Sequence, residues 1–367
     1  YWDKSLGLGA RATTFASQTG ASGAPTITRR IMVSGADRHV VCFGCNPINE
    51  TAQDLLMVRW SDQEDAVDWT PTATNTAGSQ RISSGSEIIS AQKTRQEMLI
   101  WTDTSLHAMR FTGPPFTFGI SMLANNVSIL GPNAVTTVGD KVFWMDRENF
   151  YVYTGRVQVI PCTLLRYVFD DINLDQSFKC FAASNKMFDE VFWFYPTSGS
   201  DEIDRYVKFN FTENTWDLGT LSRTAWVDYG IHDNPRGSGV ADSVNYIYIH
   251  ELGQNNDGSA MTPFIESADF DLGDGDHFMF MSRLVPDISI TDTSGDSSGT
   301  VDYIVKTRNY PGDSLATNST NSVTTTTQQA FVRARSRQAV MRIQSASTDL
   351  AWTLGDLRLD LRPDGRR

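Results

Sequence analysis

Apolar and polar positions alternate along this chain in runs that are too short for long helices. Residues 98–103 and 106–113 form one such pair of apolar runs, and residues 142–146 and 150–155 repeat it about 45 positions later. Both copies carry Trp-x-Asp in the first run and end in Thr-Gly. Hairpins that recur every 40–50 residues or so are typical of β-propeller blades. The pattern therefore predicts an all-β chain.

Further apolar runs extend the repeat. Leading strands are predicted near residues 39, 97, 141, 190 and 244, and their spacing stays within the range of propeller blades. One short helical stretch is expected near residues 163–171. Strands are also predicted at residues 331–343 and 350–361. The polar segments 197–204, 291–300 and 316–329 are predicted as a turn or loops.

The pattern divides the chain into three regions. Residues 1–38 are small and polar and are predicted to form an N-terminal arm or linker. Residues 39–262 are predicted to form the β-propeller, with about six blades in all. Residues 263–367 are predicted to form a C-terminal β-rich region, which is either a last blade with long loops or a small β-sandwich.

Composition adds a core and an acidic surface to this picture. Of the 367 residues, 40% are hydrophobic and 11% aromatic, which is enough to build a large core. The net charge of −12 argues against general nucleic-acid binding, because such proteins neutralise phosphates with Lys and Arg. An acidic surface favours solubility, and it also suits a surface that DNA passes without binding. No apolar stretch reaches the length of a membrane span.

Candidate chemistry is sparse. Cys42 and Cys45 have redox or zinc spacing but lack a second pair, so the cysteines are predicted to be buried free thiols, as expected of a chain made in a reducing compartment. The Gly-x-Ser-x-Gly letters at 295–299 lie in a polar loop and not at a strand–helix elbow. The acidic turn 269–276 lacks the EF-hand pattern. No catalytic, cofactor-binding or metal-binding residue is therefore predicted.

The arginine row Arg333, Arg335 and Arg337 is the most informative charge pattern. A spacing of two places all three on one face of a strand. Such a row repels itself unless something acidic faces it. Three interpretations stay open: a solvated face, an interface with an acidic neighbouring subunit, or a nucleic-acid contact. We take the row as a candidate subunit interface.

Several segments resemble a known family. The segment Arg59-Trp60-Ser61-Asp62-Gln63-Glu64 with the following Trp69-Thr70-Pro71, the segment Ile100-Trp101-Thr102-Asp103, and the ending Arg362-Pro363-Asp364-Gly365-Arg366-Arg367 carry the likeness. They are similar to tail nozzle proteins of short-tailed bacteriophages, also described as tail tubular or DNA-stabilisation proteins. The resemblance covers most of residues 45–367. Members of the family begin further upstream, so part of a platform domain is expected to be absent here.

The resemblance implies a structural virion protein without catalytic residues or cofactors. It implies a homohexameric ring in the viral tail, below the portal and adaptor, that retains the genome and conducts it during ejection. Tail adaptor or portal-proximal proteins and tail fibres or tip proteins would be its partners. DNA would pass through without specific binding, and no stable membrane insertion is expected. The chain would be made in the host bacterial cytoplasm. The alternative is a host-receptor-binding or glycosidase-type propeller of a phage tail.

Overall fold

The chain folds almost entirely into antiparallel β-structure. A computed structural model describes residues 1–35, 37–241, 244–292 and 299–366. Within these ranges the α-helix α1, Leu165–Phe169, confirms the helical stretch expected near 163–171. The remaining helical turns are 3-10 helices at Lys4–Leu6, Phe15–Ser17 and Leu174–Lys179. None of the helices in the described part is long and apolar enough to cross a membrane.

Two compact units divide the chain. Unit 1 is Tyr1–Glu251 and unit 2 is Leu252–Arg367. The sequence placed the corresponding boundary after residue 262. The region read as an N-terminal arm contains a strand, Arg30–Val33, which pairs with the next strand along the chain.

Unit 1 contains five consecutive antiparallel sheets, each formed by strands in chain order. Sheet 1 comprises β1 Arg30–Val33, β2 Val40–Phe43, β3 Met57–Trp60 and β4 Gly78–Arg81; sheet 2 comprises β5 Ile88–Lys93, β6 Met98–Thr102, β7 Ser105–Gly113 and β8 Thr117–Asn125. Sheet 3 comprises β9 Val135–Val138, β10 Lys141–Met145, β11 Phe150–Tyr153 and β12 Val157–Ile160; sheet 4 comprises β13 Phe181–Asn185, β14 Glu190–Tyr195, β15 Arg205–Asn210 and β16 Thr215–Thr220. Sheet 5 has three strands, β17 Ala225–Val227, β18 Arg236–Ala241 and β19 Val244–Ile249. None of these described sheets closes on itself.

The leading strands predicted near residues 39, 97, 141 and 190 are the second strands of sheets 1 to 4, namely β2, β6, β10 and β14. In sheet 5 the predicted strand is the third, β19. The first strands escaped notice because they are short or carry polar residues at apolar positions. First strands of successive sheets nevertheless lie side by side. Asn133, just before β9, forms a parallel bridge with Phe181 of β13.

The core of unit 1 lies between its sheets. Every residue of β14 is buried, because alternate side chains enter different clusters. Val191 and Trp193 join the cluster that also contains residues of sheets 2 and 3. Phe192 and Phe194 join a second cluster, in which Trp226 of sheet 5 packs. Burial on both faces explains why this strand reads as an uninterrupted apolar run.

Unit 2 contains twelve short strands within its described residues. They are β20 Asn255–Asn256, β21 Ser259–Ala260, β22 Phe264–Glu266, β23 Phe270–Asp271, β24 Met279–Val285, β25 Ile288–Asp292, β26 Val301–Arg308, β27 Ala316–Val323, β28 Ala330–Ser336, β29 Gln338–Gln344, β30 Leu350–Leu354 and β31 Arg358–Pro363. The larger sheets are a five-stranded one (β22-β29-β26-β27, with β23 on β29) and a three-stranded one (β28-β24-β31), and both contribute to one buried cluster. β25 pairs with β30, and β20 with β21.

Three sequence predictions fail in unit 2. The predicted loop 316–329 contains β27, which pairs along β26 and ends at the fully buried Val323. Its Thr residues suit a strand even though the segment is polar. The predicted strand 331–343 is two strands, β28 and β29, in different sheets. The break lies at residue 337. The buried positions of β28 are even-numbered, whereas β29 buries Ala339, Val340, Met341 and Ile343, so the strict alternation of β28 does not continue. The predicted strand 350–361 is likewise two strands, β30 and β31, in different sheets.

Candidate functional site

The three-stranded sheet β28-β24-β31 has one buried face and one outward face. Val332 and Ala334 of β28 pack into the unit 2 core with Met281 and Leu284 of β24. Because side chains alternate along a strand, the outward face of β28 carries Phe331, Arg333 and Arg335.

Cross-strand pairing places more arginines on this outward face. Phe280 of β24 lies opposite Arg335 on one side and Arg362 of β31 on the other. Arg283 of β24 likewise lies opposite Phe331 of β28 on one side and Asp360 of β31 on the other. We call this surface the arginine face and define it by its outward residues Phe280, Arg283, Phe331, Arg333, Arg335, Arg358, Asp360 and Arg362.

Some charges of the arginine face are neutralised within unit 2. Arg335 Nε lies 2.6 Å from Asp364 Oδ2, and Arg283 Nη2 lies 2.6 Å from Asp360 Oδ2. The Arg335 guanidinium also lies 4.1 Å from the centroid of the Phe278 ring. These partly exposed ion pairs contribute about 0–1 kcal/mol each, so they hold the side chains in place more than they stabilise the fold.

Other charges of the face have no acidic partner. Among the described residues, Arg333, Arg358 and Arg362 are exposed and form no ion pair. The Arg362 guanidinium stacks 4.8 Å above the Phe280 ring centroid, which leaves its edge free to donate hydrogen bonds. The Phe331 side chain is 71% exposed. The surface is thus cationic and partly apolar at once.

The structure places two of the three predicted arginines on this face. Arg337 lies one residue beyond the end of β28, so the expectation that all three share one strand face is wrong for it. Its Nη1 donates to the carbonyl oxygens of Gly275 and Asp276 at 2.8 and 3.1 Å, and its Nη2 donates to the Arg366 carbonyl at 3.0 Å. Arg337 therefore ties the acidic turn to the C-terminal segment. Whether any of the three contacts another subunit remains a prediction.

Arg283, Arg358 and Arg362 were missed by the sequence reasoning. The alternation Arg358-Leu359-Asp360-Leu361-Arg362 is a readable sign of a strand with one charged face. Nothing in the sequence, however, indicates that β31 pairs with β24, since the two are far apart along the chain.

The repeated Trp-x-Asp motif has a structural role in sheet 3. Trp144 Nε1 donates to the Ser128 carbonyl at 3.1 Å, while the Ser128 amide donates to Asp146 Oδ2 at 3.2 Å. The indole therefore binds the carbonyl group of Ser128, and the carboxylate binds its amide group. We call this arrangement a Trp-Asp clasp.

Trp-Asp clasps recur at three other sheets. Trp60 and Asp62 hold Thr76, with distances of 2.9 Å from Trp60 Nε1 to the carbonyl and 2.7 Å from the amide to Asp62 Oδ1. In a third clasp, the Trp226 Nε1 donates to the Ser184 carbonyl at 3.0 Å and the Ser184 hydroxyl donates to Asp228 at 2.6 Å. The repeat was predicted only from the copies at Trp101 and Trp144, and neither Trp60-x-Asp62 nor Trp226-x-Asp228 was counted among them.

The fourth clasp is incomplete. Asp103 accepts from the Ser86 amide at 2.7 Å and from its hydroxyl at 2.6 Å. The buried Trp101 Nε1 has no hydrogen-bond partner in the described part of the chain. Its ring packs edge-on against Trp144, with 5.4 Å between centroids. The two tryptophans of the recurring hairpins thus occupy the second strands of adjacent sheets, as the repeat predicts.

A polar cluster at the edge of sheet 4 is the strongest candidate for acid–base chemistry. Lys208 Nζ lies 2.7 Å from Glu190 Oε1 and 3.5 Å from Asp217 Oδ2. Asn185 Nδ2 donates to Glu251 Oε1 at 2.9 Å. Burial and the nearby Glu190 charge raise the pKa of Glu251. Two carboxylates with different environments are a feature of glycosidases, and in this cluster the basic partner of Glu190 and Asp217 is the lysine Lys208.

The other reactive side chains of the described residues do not assemble into a site. Ser105 Oγ and His107 Nε2 are 2.9 Å apart, yet both side chains are buried. The four cysteines are free, and burial raises the pKa of the Cys45 thiol to about 12. Across the described ranges, no three His, Cys, Asp or Glu side chains form a group that could hold a metal ion. Most of the Gly-x-Ser-x-Gly stretch, 295–298, lies outside the described residues.

Comparisons with known proteins identify no family. Neither a scan against family models nor a search of curated proteins returns a match. Among solved structures, Hsv2 from Kluyvelomyces marxianus is similar at a TM-score of 0.36 and 10% identity, over 63% of this chain and 62% of Hsv2. The chain thus matches less than two thirds of the length of Hsv2. A glycoside hydrolase is similar at a TM-score of 0.28 and 11% identity, over 89% of this chain and 96% of the hydrolase.

Proposed function

We propose that this chain is a structural virion protein: a tail nozzle that forms a homohexameric ring, retains the genome and conducts it during ejection. The observation that carries the proposal is the run of consecutive antiparallel sheets in unit 1, with neighbouring first strands and recurring Trp-Asp clasps. That arrangement supports a β-propeller, the fold implied by the resemblance to nozzle proteins. In the proposed ring, the propeller protomer would serve as a building block.

The distribution of charge supports a conduit. A net charge of −12 repels the phosphates of DNA, so duplex DNA can pass a ring of such protomers without being held. The contacts with adaptor and fibre proteins would then lie on other surfaces. Localisation in the virion tail belongs to the same proposal.

Imaging of phage particles tests the location and the copy number. We expect an antibody fragment against unit 2 to label the tail axis, and quantitative mass spectrometry of the particles to give six copies. Labelling of lateral fibres with three copies per fibre would contradict the nozzle and favour a receptor-binding protein.

A glycosidase-type tail propeller is the second candidate, because Glu190, Lys208 and Glu251 bring two unlike carboxylates to one edge of sheet 4. It predicts release of sugars from host polysaccharide and loss of that release in Glu190→Gln. The structural proposal predicts that neither the wild type nor Glu190→Gln releases sugars. The matched control is Glu213→Gln, which changes an exposed turn residue.

A further inference from the structure

We propose that the arginine face docks on an acidic patch of a second copy of this chain, and that this contact joins neighbouring protomers. The inference rests on the proposed ring. It adds the surface on each side of the contact and the chemistry that joins them.

The acidic patch lies in unit 1, where the 3-10 helix Leu174–Lys179 meets the turn before β15. Asn173 Nδ2 donates to the Ser200 carbonyl at 2.9 Å, and the Ser198 hydroxyl donates to Asp171 at 2.7 Å. These bonds hold two acidic segments together. We define the patch by its exposed residues Asp170, Leu174, Asp175, Phe178, Asp201 and Glu202.

The patch and the arginine face match in charge. Asp170, Asp175 and Asp201 form no ion pair within the described part of the chain, whereas Glu202 is paired with Lys179 at 2.6 Å. Three unpaired carboxylates on one surface thus correspond to the three arginines without acidic partners on the other. The guanidinium fork binds carboxylates with two parallel hydrogen bonds, which gives such a contact orientation as well as attraction.

The two surfaces also match in apolar content. Leu174 and Phe178 are 50% and 58% exposed within the acidic patch, and Phe331 is 71% exposed within the arginine face. Large apolar side chains among charges are typical of interface centres, where they supply most of the binding energy.

The charge of the whole chain favours a protein partner over nucleic acid. Unit 1 contains 28 Asp and Glu against 20 Lys and Arg, so a second copy offers the arginine face a strongly acidic surface. Two different patches on one chain form a heterologous contact, and such contacts build rings when the rotation closes.

Charge reversal tests the contact. The variant R333E/R358E/R362E and the reciprocal variant D170R/D175R/D201R should each stay monomeric under conditions in which the wild type forms rings. A 1:1 mixture of the two should recover rings, since each reversed face then meets a reversed patch. Mass photometry over a range of concentrations gives the assembly state. Thermal unfolding should show folded protomers, because all six side chains are exposed.

The control R11E/R147E/R156E makes the same change of net charge at exposed arginines of unit 1 and should leave assembly intact. Rings formed by R333E/R358E/R362E at wild-type concentrations would overturn the proposed contact but not the proposed ring. A 1:1 mixture that stays monomeric, while the wild type forms rings, would have the same meaning. A wild type that is always monomeric would overturn both. Binding of single-stranded DNA that is lost in R333E/R358E/R362E, while its rings persist, would assign the face to nucleic acid instead.

Discussion

At the scale of single residues, the Trp-Asp clasps explain why tryptophan and aspartate recur together. In the clasps of Trp60 and Trp144, the indole and the carboxylate bind peptide groups that would otherwise be left without partners near the core. The motif therefore marks a packing unit of the sheets and not a chemical site. Its recurrence was legible in the sequence, whereas the residue that each clasp holds was not.

Asp62→Ala should lower the free energy of unfolding by about 1–3 kcal/mol, because Thr76 loses hydrogen bonds to its amide and its hydroxyl. Burial acts to raise the pKa of Asp62, but the hydrogen bonds from Thr76, with smaller effects of the Gln63 amide and His39, outweigh burial and lower the pKa. Chemical denaturation measures the effect. Asp140→Ala, at an exposed turn, is the control and should change little. Equal losses in both variants would show that the clasp does not stabilise the sheet.

His250 should make unit 1 sensitive to mild acid. Burial and the neighbouring Arg223 lower the pKa of His250 to about 4, from 6.5. The unfolded chain therefore takes up a proton first as the pH falls, and stability that is present above pH 6.5 is lost towards pH 4. His250→Gln keeps an acceptor for Arg223 and cannot titrate. Between pH 7 and 5 the wild type should lose about 1–2 kcal/mol more than this variant. Parallel curves would contradict the assignment.

At the scale of elements, the sequence predicted the strongly apolar strands well. β6, β10 and β14 combine burial with aromatic and β-branched residues, so periodicity and propensity agree. The same reasoning missed the edge strands and the first strands of the sheets. β27 is rich in Thr, Ser and Asn because one side is open to water, and its pairing with β26 decides its conformation. Three of the five arginines on the arginine face, Arg283, Arg358 and Arg362, were missed for a similar reason, since strand pairing across unit 2 is not local.

Val323→Ala tests the strand that the sequence took for a loop. Val323 is fully buried in the core of unit 2, so the truncation should lower stability by about 1–3 kcal/mol. Leu315→Ala, at a partly exposed position just before β27, should have less than half that effect. Urea unfolding of the full chain gives both values. Matching small effects would mean that residues 316–323 do not pack as a strand.

At the scale of the whole molecule, a chain of net negative charge carries a cationic face. Under the proposal, the net charge of −12 would repel duplex DNA, and the arginine face would bind a second copy of the chain. Purified protein should therefore not retain duplex DNA in a filter-binding assay at physiological salt. Retention that weakens steeply with added salt would contradict a conduit that DNA passes freely.

The central claim is that the chain assembles into a closed ring of six. Native mass spectrometry of the purified protein, with the salt varied, tests it most directly. A closed ring of six should give a single dominant species of six times the 40.8 kDa protomer, which dissociates as salt screens the charged contacts. A monomer at every concentration, or a trimer, would contradict it.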